Sequence, residues 1–108
     1  MNSALVLYSQ HPNRLARFYR LLGITLTPEK HGDGAKHYAG SVGDTVLECY
    51  PARQKTSSTK DTFIFYISDI ELVARLLHTA DVTFQRHGKT LSLFDPDGRS
   101  VRVFAASV

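Results

Sequence analysis

ALVLYSQHPNRLARFY, residues 4–19, lies over TFIFYISDIELVARLL, residues 62–77, without a gap. The alignment pairs Tyr8 with Tyr66 and matches an alanine and an arginine further along. Each stretch begins with an apolar, strand-like run and continues with the spacing of an amphipathic helix. We therefore predict that the chain contains two copies of one strand–helix module.

A weaker repeat occurs later in each copy. There TVLECY, residues 45–50, aligns with RSVRVF, residues 99–104, and this alignment pairs Glu48 with Arg102. Three short strand-like pieces separated by turn residues come after each predicted helix. They are ITLTPEKH (24–31), KHYAGSV (36–42) and TVLECY (45–50) in the first copy, and VTFQRH (82–87), KTLSLF (89–94) and SVRVFA (100–105) in the second. The predicted order is strand, helix and three strands, twice over.

Local signals predict where the helices and one turn lie. Pro12 suits the first position of a helix, because the amide it lacks would have no helical partner there, and Gly23 is a typical stop. Ser68 and Glu71 have the spacing of a capping box at the start of the second helix. DPDG, residues 95–98, is a strong turn sequence.

Composition favours one compact globular domain with two modules. The chain has 108 residues, of which 43% are hydrophobic and 21% charged, values typical of a folded protein. We expect module 1 at about residues 3–52, a polar linker at about 53–61, and module 2 at about 62–105.

Charge and cysteine content limit the expected partners and the expected cellular compartment of the protein. The net charge is +3, and its basic residues are scattered rather than clustered, so we expect no nucleic-acid partner. Cys49 is the single cysteine, which excludes an internal disulfide and fits a reducing compartment. The first residues lack a basic leader and a long apolar run, and we therefore expect a cytoplasmic protein without membrane contact.

Strand alternation sorts the predicted strands into two faces. One face is entirely apolar and must pack against the helices: Leu5, Leu7, Leu47, Cys49, Phe63, Phe65, Ile67, Val101 and Val103. The other is mixed and aromatic: Ala4, Val6, Tyr8, Val46, Glu48, Tyr50, Thr62, Ile64, Tyr66, Ser100, Arg102 and Phe104. A mixed face curved into a cup is a suitable place for a small ligand.

The duplicated order, the FYRLLG end of the first helix and the DPDG turn before SVRVF together resemble the vicinal oxygen chelate superfamily. That superfamily includes glyoxalase I, bleomycin-resistance proteins and extradiol dioxygenases. The resemblance covers residues 4–104 and implies an α+β fold: two βαβββ modules form a curved, cupped mixed sheet with helices on the outer face. It also implies a homodimer, paired within the chain or by module swapping.

The resemblance also bears on metal binding. Metal-using relatives draw ligands from positions that correspond here to Ala4, Glu48, Thr62 and Arg102. Of these, Glu48 alone is a good ligand, because a methyl group donates nothing, a threonine hydroxyl binds weakly and a guanidinium repels a cation. We therefore expect no metal and no other cofactor, with the metal-free bleomycin-resistance branch as the nearer relative. Bleomycin itself is a poor candidate ligand, since it is cationic and this chain is basic.

The leading hypothesis is a metal-independent protein that binds a small anionic or aromatic ligand for sequestration or sensing. The resemblance brings Glu48 and Arg102 together at the base of the cup. Arg102 then anchors a carboxylate or phosphate, or the two residues form an ion pair in place of the metal. The other predicted ligand-binding residues are Thr62 and the aromatic Tyr8, Tyr50, Tyr66 and Phe104.

Two alternatives remain open at this point. The first is a metal-dependent lyase, isomerase or dioxygenase-like enzyme with relocated ligands, drawn from Glu48, His37 and His87. Strand alternation does not determine on which face of the sheet the two histidine side chains lie. Each of them is also compatible with an ordinary surface position. The second is an interaction protein whose cup is filled by its own side chains. Alternation places Cys49 among the helix-facing residues, which favours an inert buried thiol over a nucleophile.

Overall fold

The computed structural model describes residues 3–55 and 60–106. In chain order the elements are β1 (Ser3–Ser9), α1 (Pro12–Leu21), β2 (Thr27–Glu29), β3 (His37–Val42), β4 (Thr45–Pro51), β5 (Thr62–Ile67), α2 (Ile70–Thr79), β6 (Phe84–His87), β7 (Thr90–Phe94) and β8 (Ser100–Ala105). The central part of the expected linker, residues 56–59, lies outside the described residues.

The elements form two compact units, one built on β1–β4 with α1 and the other on β5–β8 with α2. The first sheet has the strand order β1-β4-β3-β2 and the second β5-β8-β7-β6. In each sheet the first and last strands of the unit pair in parallel, and the remaining pairs are antiparallel. The predicted α+β class with two βαβββ modules is confirmed.

Each unit buries apolar side chains from its helix and from one face of its sheet. The first buries Leu7, Leu15, Ala16, Phe18, Tyr19, Leu47 and Cys49, and the second buries Phe65, Ile70, Val73, Leu77, Leu91, Leu93, Val101 and Val103. Burial of a large apolar side chain contributes about 1.5–3 kcal/mol relative to exposure, so these sets provide most of the stabilisation. Cys49 is fully buried, as alternation predicted.

The ends of the helices agree with the sequence in one unit and differ in the other. Helix α1 begins at Pro12, and Gly23 has the left-handed φ of 95° that glycine adopts readily. Helix α2 is capped by Asp69, whose side chain accepts a hydrogen bond from the Leu72 amide at 3.0 Å. The predicted Ser68 capping box is therefore wrong, because the helix starts one residue later and an aspartate makes the equivalent contact.

The predicted DPDG turn is present and is organised by a buried carboxylate. Asp95 is 4% exposed, and its Oδ1 accepts hydrogen bonds from the amides of Asp97 at 2.9 Å and Arg99 at 3.0 Å. Its Oδ2 accepts from the Arg99 guanidinium at 3.2 Å. These contacts fix the entry into β8, the strand that carries Arg102.

A close backbone approach occurs at Gly40 in β3. A Cβ atom added there would overlap the carbonyl oxygen of Thr25 and lie 3.1 Å from a side-chain carbon of Leu26. Only glycine leaves room for this contact between β3 and the chain before β2. Among the described residues, no helix is long and apolar enough to span a membrane.

Candidate functional site

The face of each sheet opposite the buried apolar side chains is termed here its open face. On the first sheet it carries Tyr8, which is 51% exposed, and on the second Tyr66, which is 70% exposed. Alternation placed both tyrosines on this face. Large aromatic groups exposed in this way are typical of surfaces that bind another molecule.

Strand register aligns four side chains across the open face of the first sheet. Tyr8 pairs with Tyr50, and Glu29 with His37, while the rings of His37 and Tyr50 stack with centroids 4.1 Å apart and planes 8° from parallel. The ring centroids of Tyr8 and Tyr50 are 6.0 Å apart. The result is a continuous row, Tyr8–Tyr50–His37–Glu29.

His37 is a buried polar residue of β3. Its exposed fraction is 1%, and the chain between β2 and β3 contributes two of the contacts around it. Nδ1 lies 3.1 Å from the Ala35 carbonyl oxygen, and the His31 ring centroid is 5.4 Å away. Since a carbonyl oxygen can only accept, Nδ1 is the protonated nitrogen and donates this hydrogen bond.

The other ring nitrogen of His37 points towards carboxylates. Nε2 lies 3.3 Å from Glu29 Oε1 and 3.3 Å from Glu48 Oε2, yet it forms no hydrogen bond with any described residue. A buried nitrogen in this state is unusual, because an unsatisfied polar atom costs about 1–3 kcal/mol. The arrangement therefore requires a further explanation.

His31 completes the group around Glu29. Its Nε2 lies 2.5 Å from Glu29 Oε1, and this hydrogen bond holds the pKa of Glu29 below its usual range. Donor atoms of Glu29, His31 and His37 all lie within 4.8 Å of one another. Imidazole nitrogens with a carboxylate oxygen form a ligand set suited to a divalent transition metal.

The pKa of Tyr50 is shifted by burial and by the neighbouring glutamates. Burial raises the pKa of its phenol, and the negative charges of Glu48 and Glu29 raise it further. The phenol therefore stays protonated at neutral pH, and its hydroxyl can donate a hydrogen bond.

Arg102 lines a cavity of about 310 Å³ at the second sheet. The other lining residues are Thr83, Phe84, Gln85, Ser92, Leu93, Phe94 and Ser100. Arg102 is exposed and makes no ion pair or hydrogen bond with the described residues of its own unit. A guanidinium beside three hydroxyl-bearing residues and two phenylalanine rings can bind a carboxylate or a phosphate.

The second sheet repeats the row found on the first with different chemistry. Register gives Tyr66–Phe104–Thr90–His87, and the Tyr66 and Phe104 rings stack with centroids 5.7 Å apart. Thr90 therefore stands where the first unit has His37. The two copies have kept their aromatic pairs and have diverged beyond them.

The four positions at which the sequence resemblance places metal ligands do not together fit a metal ion. Ala4 has no donor atom, and the hydroxyl of Thr62 donates to the Ser100 hydroxyl at 3.2 Å. Arg102 is a fixed cation, which leaves Glu48 as the one good ligand of the four. No chemistry is therefore assigned to a metal at those positions.

The predicted site residues fall into both units. Tyr8, Glu48 and Tyr50 lie on the first open face, and Thr62, Tyr66, Arg102 and Phe104 on the second. The approach of Glu48 to Arg102 joins residues of different units and stays a prediction. Of the two histidines considered as ligands, His37 lies beside Glu48, whereas His87 belongs to the other unit.

Glu29 and His31 were missed as site residues. Their sequence EKHGDGAKH contains a glutamate and two histidines within nine positions, a spacing that could have suggested ligands. The segment contained turn residues, however, and its fold over the sheet could not be inferred from alternation.

No protein-family model matches this chain, and no curated protein matches it. Among solved structures, one described as oxidase ChaP-H2 is 14% identical, with a TM-score of 0.78 over 99% of this chain and 94% of that chain. A lactoylglutathione lyase from Agrobacterium tumefaciens is 15% identical, with a TM-score of 0.65 over 98% and 93%.

TnmS3, an antibiotic binding protein from a Streptomyces species, is 13% identical, with a TM-score of 0.71 over 99% of this chain and 96% of that chain. These likenesses confirm the resemblance to the vicinal oxygen chelate proteins at the level of the fold. The three structures carry the names of an oxidase, a lyase and a binding protein, so the fold alone does not select an activity.

Proposed function

We propose that this chain, which has the vicinal oxygen chelate fold, is a metal-independent binding protein for a small anionic molecule with an aromatic or apolar part. Arg102 anchors the anionic group, and the ligand is held for sequestration or sensing. The observation that carries the proposal is the Arg102 cavity of about 310 Å³.

The chemistry of the cavity supports this ligand class. Its volume lies at the lower end of the roughly 300–1,000 Å³ common for small-molecule sites. Ser92 and Ser100 offer hydroxyl groups, and Phe94, which is 67% exposed, offers apolar surface. The guanidinium already supplies positive charge, so an anion needs no metal ion to bind here.

Each open face carries an aromatic pair that we propose as a further contact surface. Tyr66 and Phe104 stack on the sheet that carries Arg102, and Tyr8 and Tyr50 form the corresponding pair in the first unit. Thr62 lies at the edge of the second open face. Flat rings at these places suit a planar ligand, because aromatic groups stack with offset or tilted geometry.

Isothermal titration with a panel of aromatic carboxylates and sugar phosphates, in buffer containing a chelator, tests the proposal. We expect at least one member to bind and Arg102→Gln to weaken it at least tenfold. Arg17→Gln is the matched control, since it removes an exposed arginine from α1 and should leave binding unchanged. Absence of binding across the panel, or equal affinity in the Arg102 variant, would refute the proposal.

We also propose that the protein is a cytoplasmic homodimer. Within the described residues, each sheet has two end strands, β1 and β2 in the first and β5 and β6 in the second, and unpaired sheet edges are usually covered. The buried single thiol of Cys49 fits a reducing compartment. Light scattering coupled to size exclusion measures the mass in solution, and a monomer at high concentration would refute the dimer.

A second candidate function is a metal-dependent lyase, isomerase or dioxygenase-like enzyme. The observation that favours it is the contact of His37 Nε2 with Glu48 Oε2 at 3.3 Å. Elemental analysis of protein purified without chelators, followed by turnover assays on 1,2-dicarbonyl and catechol substrates, distinguishes it from a binding protein. Stoichiometric metal together with turnover that a chelator removes would favour the enzyme.

A further inference from the structure

We propose that Glu29, His31 and His37 form a binding site for one divalent transition-metal ion on the first unit, with Glu48 beside it. Donor atoms of the three residues lie within 4.8 Å of one another. The three residues belong to the first unit, whereas the residues that line the Arg102 cavity belong to the second. The site also differs from the metal positions of the related enzymes, since three of its four residues lie elsewhere in the chain.

His37 is already oriented as a metal ligand. Its Nδ1 donates to the Ala35 carbonyl at 3.1 Å, and in a neutral imidazole the lone pair then lies on Nε2. Histidine ligands usually donate their second ring N–H to a carbonyl or carboxylate in this way. Stacking on Tyr50 fixes the plane of the ring.

Nε2 of His37 is the second, independent observation. The side chain is 1% exposed, and this nitrogen has no hydrogen-bond partner among the described residues. It nevertheless points between two carboxylate oxygens. A metal ion bound there would satisfy the lone pair and both negative charges at once.

Two donor-atom separations, both at His37 Nε2, fit a small tetrahedral ion, whereas the three residues together span up to 4.8 Å. Bonds of about 2.0–2.1 Å place two tetrahedral ligands about 3.3–3.4 Å apart. His37 Nε2 lies 3.3 Å from Glu29 Oε1 and 3.3 Å from Glu48 Oε2. The His31 to Glu29 hydrogen bond would have to open by about 0.8 Å to reach that separation, and the His31 side chain is free to move because it is 71% exposed.

The donor set selects the class of metal. Two imidazoles with carboxylates favour Zn²⁺, Ni²⁺ or a similar first-row ion, whereas Mg²⁺ and Ca²⁺ prefer all-oxygen sites. Thiolate does not contribute, since Cys49 is fully buried and on the opposite face of β4 from Glu48. The competing explanation is a metal-free charge cluster with protonated His37 between the two glutamates.

Calorimetric titration of chelator-treated protein with ZnCl₂ separates these explanations. We expect one equivalent of Zn²⁺ to bind, with MgCl₂ at least a hundredfold weaker. His31→Ala, at an exposed position that should not disturb folding, and Glu29→Gln should each weaken Zn²⁺ binding at least tenfold. X-ray absorption of the zinc-loaded protein should show nitrogen and oxygen neighbours at about 2.0–2.2 Å and no sulfur.

Two further variants provide controls. His78→Gln removes an exposed histidine at the end of α2, and His87→Gln removes the third residue of the ligand set considered from sequence. Both should bind Zn²⁺ like the unmodified protein. Absence of Zn²⁺ binding, or equal affinity in the His31 and Glu29 variants, would refute the metal site and leave the charge cluster. Because the anion titration is made with a chelator present, its outcome does not depend on this one.

Discussion

The imidazole of His37 lies flat against the phenol ring of Tyr50, with 4.1 Å between the centroids. The two residues come from the adjacent strands β3 and β4, and Tyr8 lies on the far side of Tyr50. Stacked rings add about 0.5–1.5 kcal/mol to the stabilisation from buried area. The stack therefore holds a buried imidazole in a single orientation above the sheet.

Replacing Tyr50 tests this contact. Tyr50→Phe keeps the ring, and we expect little change in the free energy of unfolding. Tyr50→Leu removes the aromatic face and should cost about 1 kcal/mol more than Tyr50→Phe. Urea unfolding measures both, and equal stabilities of the two variants would show that stacking contributes nothing.

The start of helix α2 gives a prediction that distinguishes the contributions of Ser68 and Asp69 to helix capping. Asp69→Ala removes the acceptor for the Leu72 amide and should destabilise the fold by about 1 kcal/mol. Ser68→Ala is the matched control and should have almost no effect. If chemical denaturation showed a larger loss of stability for Ser68→Ala than for Asp69→Ala, the capping box predicted from the sequence would be correct after all.

The close approach at Gly40 predicts a strong effect from a single methyl group. Gly40→Ala forces the β3 backbone away from the Thr25 carbonyl and should cost about 3 kcal/mol. Gly43→Ala is the comparison, because its φ of 58° is unfavourable for alanine while the space around it is open, and about 1 kcal/mol is expected. If thermal unfolding showed the same loss of stability for Gly40→Ala and Gly43→Ala, the steric argument would be wrong.

The exposed pair of Glu71 and Arg86 predicts a dependence on pH. The hydrogen bonds from Arg86 hold the pKa of Glu71 below its usual range. A carboxyl with a lowered folded-state pKa stabilises the fold above its unfolded pKa of about 4.3, and this contribution is lost as the pH falls through the folded value. We therefore expect a small difference in Tm between the unmodified protein and Glu71→Gln at neutral pH, and this difference should shrink as the pH falls below about 4.3.

Salt and a second substitution serve as controls for that pair. About 1 M NaCl should shrink the difference at neutral pH, because exposed charges are screened. Adding Arg86→Gln to Glu71→Gln should lower Tm no further through this interaction. A difference that persists in acid and in salt would show that Glu71 acts through something other than its charge.

The sequence was sufficient for the fold because the signals were local and repeated. Apolar alternation in β1, β4, β5 and β8 follows the buried face of each sheet, and the gapless repeat of a strand and a helix determined the module. Pro12 and Gly23 marked the ends of α1 since their backbone restrictions do not depend on distant contacts.

The candidate site was only partly predictable, because it depends on a connection that packs back over the sheet. His37 alternates with Tyr38 in β3, but burial by residues 30–36 cannot be read from a period of two. The cluster with Glu29 and His31 needs the β2–β3 register and the position of Ala35. Arg102 was identified from its position in the repeat, whereas its cavity depends on side chains from β6 and β7.

Glu48 and Arg102 occupy equivalent places in the two sheets, each beside the parallel strand that opens its unit. The same module thus occurs twice, with a negatively charged residue at this position in the first copy and a positively charged residue in the second. A substitution at either residue changes the charge on the open face of its own sheet. The charge of one copy of the module can therefore be changed without altering the residues of the other copy, within a single short chain.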